Sequence, residues 1–463
     1  MCGIAGFIQT GGQPEPAGVL ASMAEAIRHR GPDGNGYFRD RHARLAHLRL
    51  SIIDLATGQQ PMSSEDGRRW IIYNGEVFNH AALRPELERA GHRYKSHSDT
   101  ETILHAYEEY GPDCVSRFRG MFAFVIWDQD SRTLFAARDR LGIKPFYYYW
   151  DGSLLAFASE IKALFAHPEI SPRLDATLVA EYLGFGYTSG ERTLFENIGR
   201  LLPGHTLRLQ TGTDGPKLEI RRYWDVPAAG EPVQRSDAEW IQDCRQRLEE
   251  TVRMRLMSDV PLGMFLSGGL DSSAIAAIMK RQVKTPVQTF AVGYEEAAYS
   301  ELAYARQVAG TIGTEHREVV VGSQEFFQAL PKLIWHEDEP IAWPSSVSLY
   351  FVSQLAAKHV KVVLTGEGSD ELFGGYSRYH FYQLNRRGNQ FYGVVPQGIR
   401  RLVQSQIASS PLLSAGLRRK LGHTFLGREA TLESLYLDNF YSGFSREEQA
   451  RLFRLPSGSG GGV

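Results

Sequence analysis

A cysteine stands at position 2, directly after Met1. Removal of Met1 would leave a thiol and an α-amine on one carbon. Such an amine titrates at about 7.7–8.0 and can serve as a base near neutrality, while the thiolate is an intrinsically strong nucleophile. Asn74-Gly75 ends an apolar run, Trp70 to Tyr73, and offers a side-chain amide and a backbone N–H to a developing oxyanion. Arg49 could clamp a carboxylate in bidentate fashion, and Asp99 could accept an ammonium. Each also has an ordinary structural use: a turn, a surface charge, an acid at a helix start.

A second concentration is Ser267-Gly268-Gly269-Leu270-Asp271-Ser272-Ser273. It lies between the apolar run Leu262 to Leu266 and the apolar-periodic run Ala274 to Met279. Strand, glycine turn and helix start together make an anion site, because the backbone can come close to a ligand and present N–H groups to phosphate oxygens. Asp271 would repel phosphates unless a divalent cation stood between them. The lysine of the ordinary phosphate-binding loop is missing, so that loop is excluded. A third stretch, Thr365-Gly366-Glu367-Gly368-Ser369-Asp370, follows the apolar run Val360 to Leu364. Asp271, Glu367 and Asp370 in one crevice would repel one another without a cation. A divalent cation standing between them and a phosphate group would relieve that repulsion.

These groups need elements to place them. A chain of 463 residues is too long for one ordinary core and implies two domains. Residues 2–210 read as mainly antiparallel α+β. Strand-like runs include 3–8, Leu45 to Ile53, Trp70 to Tyr73, Met121 to Trp127 and Leu154 to Ala158. Ala81 to Ala90 and Asp99 to Tyr110 read as helices, the second with Ser98 and Glu101 as a capping box. Residues 211–235, rich in Gly, Pro and small side chains, read as a linker. Ser236 and Glu239 cap a helix whose Trp240, Ile241, Cys244, Leu248 and Val252 share a face. From 236 to 455 strands and helices alternate, the pattern of a doubly wound parallel sheet with ligands at the carboxyl ends of its strands. Residues 456–463 read as a flexible tail.

Composition narrows the function classes. The chain is 43% hydrophobic and 22% charged with a net charge of −2, so it carries no electrostatic footprint for nucleic acid or anionic membrane. Three scattered cysteines make neither a disulfide framework nor a zinc site. Neither a membrane span nor a signal peptide is legible, and a cytoplasmic setting is expected.

Six motifs occur in order: Met1-Cys-Gly-Ile-Ala-Gly, Arg30-Gly-Pro-Asp-Gly, Leu48-Arg-Leu-Ser-Ile-Ile-Asp54, Tyr73-Asn-Gly-Glu76, Ser98-Asp-Thr-Glu101 and Arg138-Asp-Arg-Leu-Gly-Ile-Lys-Pro-Phe-Tyr147. Together they resemble the class II glutamine amidotransferase domain of the glutamine-hydrolysing asparagine synthetases. The resemblance implies an N-terminal-nucleophile hydrolase sandwich. In it Cys2 attacks the glutamine amide, Asn74 and Gly75 hold the oxyanion, and Arg49, Ile53, Glu76 and Asp99 belong to the glutamine site. The remainder resembles the synthetase domain of the same family, an adenine-nucleotide α-hydrolase-like fold. That likeness implies an ATP site of Leu266, Ser267, Gly268, Gly269, Asp271, Ser272, Ser273, Val292, Thr365 and Gly366. Asp271 and Asp370 would hold Mg²⁺, and Glu367 would assist formation of an acyl-adenylate.

The implied reaction joins ammonia from glutamine to aspartate through a β-aspartyl-adenylate, giving AMP, pyrophosphate and glutamate. Ammonium is no nucleophile, so an enclosed passage between the domains is expected, with the segment Arg138 to Tyr147 near its wall. The partners are the small molecules glutamine, aspartate and ATP, with a homodimer as one assembly the family allows. The family usually has Ser where Thr365 stands, and commonly continues into a helical segment with a lysine near the adenylate and a Glu-Ala-Arg-Val-Pro-Phe-Leu-Asp-like stretch. Neither is present, so the resemblance is to a synthetase domain shortened at its C-terminus, with apolar surface exposed where further helices would pack. Amidation of another carboxylate and glutamine hydrolysis alone are the alternative readings.

Overall fold

The computed structural model describes residues 1–11, 17–212, 215–228, 230–231, 233–429, 431–440, 443–444 and 446–452. The proposed tail 456–463 lies outside them. The chain divides into two compact units, Met1–Leu174 with Ser189–Thr365, and Asp175–Thr188 with Gly366–Val463. The first unit therefore takes in the amino-terminal sandwich and the parallel sheet alike.

The sandwich begins with β1 (Gly3–Gln9), α1 (Val19–Ala26), β2 (Gly34–Arg39), β3 (Ala43–Arg49), β4 (Met62–Ser63) and β5 (Arg69–Val77). It continues with α2 (His80–Arg89), α3 (Asp99–Tyr110), β6 (Gly120–Asp128), β7 (Thr133–Arg138), β8 (Tyr147–Trp150) and β9 (Leu154–Ala158). After α4 (Ile161–Leu164), and α5 (Val179–Phe185) of the other unit, come β10 (Ile198–Arg200), β11 (His205–Gly212) and β12 (Gly215–Arg222). Two six-stranded sheets result, in the orders β10-β8-β9-β1-β3-β2 and β12-β11-β7-β6-β5-β4. All their strand pairs are antiparallel.

Strand alternation explains the layers. On β6, Ala123, Val125 and Trp127 enter the core between the sheets, while Phe122, Phe124 and Ile126 pack outward with Leu87 of α2 and Ile103 and Leu104 of α3. On β1, Ile4 and Ile8 face the other sheet, and Ala5 and Phe7 face Leu20 and Met23 of α1. Both faces of each sheet are thus buried, in a helix–sheet–sheet–helix stack. That is why the strands read as unbroken apolar runs.

Three local readings need correction. Leu45 to Ile53 is not one strand, because β3 ends at Arg49 and the Leu50 N–H turns to the Cys2 sulfur, 3.3 Å away. Ser98 caps α3 by accepting from the Thr100 N–H, but Glu101 does not reach back to close a box. Its carboxylate accepts from the Lys95 and Ser96 N–H groups instead, each at 2.7 Å. Within 211–235, residues 215–222 form β12, which pairs along the length of β11. Polar, exposed strands at a sheet edge resemble linker in composition.

The parallel sheet follows α6 (Asp237–Arg255), whose Ser236–Glu239 capping box forms as the sequence indicates. Only the far end of its apolar stripe is covered: Val252 is buried, whereas Trp240, Ile241 and Cys244 are exposed. Next come β13 (Leu262–Phe265), α7 (Leu270–Gln282), β14 (Gln288–Tyr294), α8 (Leu302–Ile312), β15 (Glu315–Val321), α9 (Ser323–Glu337), α10 (Ser345–Ala356) and β16 (Val362–Leu364). The strands are parallel in the order β15-β14-β13-β16. From β13 the chain winds to β14 and β15, then returns to the other side of β13. The switch in direction therefore falls between β13 and β16, where open α/β sheets bind ligands.

The second unit is helical, with α11 (Ser369–Phe373), α12 (Ser377–Tyr392), α13 (Gln397–Ser409) and α14 (Ala415–Gly422). Several of its apolar side chains are in solvent: Leu372, Phe373, Phe391, Val394 and Leu412 are each at least 71% exposed. No helix among the described residues is long and apolar enough to cross a membrane.

Candidate functional site

Cys2 lies at the tip of β1, the innermost partner of β3, so the first residues of the chain are held by two flanking strands. Its Sγ is 3.3 Å from the Leu50 N–H donor and 3.6 Å from the Leu50 carbonyl. Burial pushes the thiol above its ordinary value, and the Leu50 N–H works against that rise. Burial, then Arg30, lowers the Met1 ammonium to about 6. Arg30 Nε donates to the Cys2 carbonyl at 3.1 Å.

Around Cys2 a cleft open to solvent is lined by Arg49, Ile53, Asn74, Gly75, Glu76 and Asp99, among others. The structure thus gathers every residue that the sequence nominated for the first site. Asn74 is 1% exposed, and its side-chain Nδ2 is buried with no hydrogen-bond partner. A buried amide left unpaired costs about 1–3 kcal/mol, which points to a partner supplied during function. Gly75 has to be glycine: a Cβ there would lie 2.2 Å from the Met121 carbonyl oxygen on β6.

Arg49 ends β3, and its guanidinium donates to the carbonyls of Leu55, Ile53 and Asp54 at 3.4, 3.3 and 2.5 Å. Asp54, at φ 49°, bends that loop around the cation. Asp99 stands in the first turn of α3, where its Oδ2 accepts from Tyr73 OH at 2.8 Å and the Val77 N–H at 2.9 Å. Burial still raises its carboxyl, and it raises Glu76 to about 7. Two buried acids beside a cleft favour an ammonium guest.

Lys144 also lines the cleft and was not foreseen as part of it. The motif Arg138 to Tyr147 carried the signal, but sequence placed it on a passage wall. Asp139 shapes this loop by accepting from the N–H groups of Leu141, Ile143 and Lys144 at 3.0–3.1 Å. Arg138 clasps it by donating to the carbonyls of Gly142, Lys144 and Leu201. The same loop thereby brings the Lys144 ammonium to Met1, with Nζ 3.2 Å from Sδ.

The residues nominated for the second site lie on or follow β13, β14 and β16 in the chain. Leu266 is buried, Ser267 and Gly269 are exposed, and Val292 is half-buried on β14. Gly268 adopts φ +83°, and a Cβ on it would lie 2.5 Å from the Tyr304 carbonyl carbon in α8. Ser267 Oγ lies 3.0 Å from Ser272 Oγ, and Ser273 Oγ donates to the Gly269 carbonyl at 2.6 Å. All three hydroxyls that the sequence offered to a ligand thus brace the loop first. Asp271 is half-buried in the first turn of α7. Thr365 follows β16 at the switch point, and its hydroxyl keeps the donor that a serine would supply. Gly366, Glu367 and Asp370 open the second unit, with Glu367 exposed and Asp370 half-buried ahead of the Gly374-Gly375 turn.

A family model described as a glutamine amidotransferase domain matches residues 1–224, and one described as asparagine synthase matches residues 243–451. Glutamine-hydrolysing asparagine synthetase 1 of Bacillus subtilis strain 168 is 37% identical over 447 residues, covering 95% of this chain and 67% of that protein. Asparagine synthetase 3 of the same organism is 36% identical over 398 residues, with coverages of 82% and 64%. A putative asparagine synthetase 2 of Methanocaldococcus jannaschii is 34% identical over 476 residues, with coverages of 97% and 88%. The chain spans about two thirds of the length of the two Bacillus relatives. The chain belongs to the glutamine-hydrolysing asparagine synthetases, carbon–nitrogen ligases that take their amide nitrogen from glutamine.

Proposed function

We propose that this protein makes asparagine from aspartate, ATP and the amide nitrogen of glutamine. The observation that carries the reading is the orphaned, buried Asn74 Nδ2 in the cleft that holds Cys2. After loss of Met1, the Cys2 amine takes the thiol proton and the sulfur attacks the glutamine γ-carbonyl. Negative charge on that oxygen is received by Asn74 Nδ2 and the Gly75 N–H. Collapse expels ammonia, which carries off the transferred proton, and water then hydrolyses the thioester to glutamate. Arg49 holds the substrate α-carboxylate, Glu76 and Asp99 hold its α-ammonium, and Ile53 closes the cleft wall.

At the second site the aspartate β-carboxylate attacks the α-phosphorus of ATP and expels pyrophosphate. Ammonia then displaces AMP from the β-aspartyl-adenylate. Leu266 to Gly269, Asp271 to Ser273, Val292, Thr365 and Gly366 form the nucleotide site in this reading, and Glu367 assists formation of the acyl-adenylate. The carboxylates of Asp271 and Asp370 suit a hard divalent cation and would hold Mg²⁺, which when bound neutralises phosphate charge. Ammonia passes between the sites through an enclosed path beside the loop Arg138 to Tyr147. A cytoplasmic setting belongs to the same reading.

Supplying Mg²⁺-ATP and aspartate with either glutamine or ammonia, to the parent and to Cys2→Ala, tests this. Cys2→Ala should lose glutamine use and keep ammonia-dependent asparagine formation. Amidation of a different acid under these conditions would overturn the assignment of aspartate. Glutamate release with no ATP-dependent product would reduce the protein to a glutaminase.

A further inference from the structure

A chain of buried ion pairs runs from the peptide of the nucleophile into the nucleotide-binding half. Arg30, whose Nε holds the Cys2 carbonyl, donates through Nη1 to Glu160 Oε1 at 2.8 Å. His29 Nε2 lies 2.9 Å from the same oxygen. The second Glu160 oxygen receives Lys162 Nζ. Lys162 in turn reaches Asp338 Oδ1 at 3.0 Å and the His336 carbonyl at 3.4 Å, while its own N–H donates to Asp338 Oδ2 at 3.3 Å. The four side chains Arg30, Glu160, Lys162 and Asp338 are only 8–13% exposed. Burial opposes the Glu160 charge, but His29, Lys162 and Arg30 together hold its carboxyl at about 2.

The far end of this chain is well placed to sense the nucleotide site. Asp338 ends α9 in a left-handed conformation, φ 62°, and opens the connection to α10. Val352 and Ala356 of α10 pack with Phe290 and Val292 of β14, and Tyr294 OH bonds Ser348 Oγ. Apolar packing would satisfy these positions with less desolvation, so ion pairs are poor candidates for stability alone. What they provide is direction: each acid or base has a fixed partner on either side.

We infer that Glu160 and Lys162 are positioning residues that link the Cys2 backbone to the 336–339 turn, so that occupancy of the nucleotide site sets how well Cys2 attacks glutamine. The inference rests on the two-site reading above. Displacement of the turn draws Lys162 away from Glu160, which frees Arg30 and shifts the Cys2 carbonyl, and with it the amine and sulfur.

The test measures kcat and KM for glutamine hydrolysis, and the alkylation rate of Cys2 by a glutamine-like chloroketone, with and without Mg²⁺-ATP plus aspartate. In the parent the ligands should change kcat and alkylation by threefold or more while KM moves little. Lys162→Met and Asp338→Asn should each cut that response to below 1.5-fold. Their combination should be no worse than either alone, and Lys162→Arg should restore the response. Melting curves check each fold; should Lys162→Met not fold, Asp338→Asn and Lys162→Arg carry the comparison. A parent indifferent to the ligands, or variants that respond as it does, would overturn the inference. Ammonia-dependent asparagine formation is scored separately. Its loss with the ligand response intact removes the acceptor assignment and leaves the link standing.

Discussion

Asn74 is the residue on which the first site turns. Its donor is buried, unpaired and adjacent to Gly75, where β6 comes too close for any side chain. Asn74→Ala should lower kcat for glutamine hydrolysis roughly 10²–10³-fold with little change in KM, because the lost bond forms only as the oxyanion develops. A drop confined to KM would reassign Asn74 to substrate binding. Glu76 makes a second prediction. Burial raises its carboxyl to about 7, so the free protein carries it protonated below that pH and ionised above. Only the ionised form attracts an ammonium. kcat/KM for glutamine should therefore rise as pH climbs through about 7, and Glu76→Gln should abolish that limb. An unchanged limb in the variant would place the titration elsewhere.

At the scale of elements, α3 positions Asp99 and is itself fastened by charge. His105 is 1% exposed, with Nδ1 bonded to Glu108 at 3.0 Å and Nε2 in ion-pair range of Glu101 at 3.7 Å. Burial disfavours the imidazolium, yet Glu101 and Glu108 outweigh it and hold His105 up to about 9. Burial likewise opposes the Glu101 carboxylate, and His105, Ser96 and Lys95 hold it down to about 2. The His105 contribution to stability is complete below its unfolded value of about 6.5 and fades as pH rises through about 9. The Glu101 contribution is complete above about 4.3 and fades as pH falls through about 2. Melting temperature should be highest between these limits, and His105→Gln should flatten the alkaline decline. At α7, Gly268→Ala meets both a positive φ and the backbone of α8. It should cost on the order of 1–3 kcal/mol and remove ATP-dependent synthesis while sparing glutamine hydrolysis. Retained synthesis would mean that the loop does not carry the phosphates.

At the scale of the whole molecule, the loop that carries Ile52 to Asp54 is held partly by the other half of the first unit. Asp259 Oδ2 accepts from the Asp54 N–H at 2.7 Å, and the Asp259 N–H donates to the Ile52 carbonyl at 3.0 Å. That loop wraps Arg49, so Asp259→Ala should raise KM for glutamine several-fold and leave kcat nearly intact, read by steady-state hydrolysis. Lys361 Nζ bonds Asp33 Oδ2 at 2.7 Å and adds a second tie of the same kind.

Sequence by itself determined the family and the two architectures. Thiol, amide, guanidinium and carboxylates stood in six ordered motifs, and alternation of strand and helix marked the parallel sheet, because backbone periodicity and turn residues are local properties. Tertiary structure decided what neighbours do. It turned Glu101 from helix cap to partner of Ser96 and His105, and brought Lys144 into the cleft. It also left Asn74 Nδ2 without a partner and threaded charge from Arg30 to Asp338 across more than 300 residues of chain. Those outcomes depend on which side chains meet after distant strands pair, and local spacing carries no record of that.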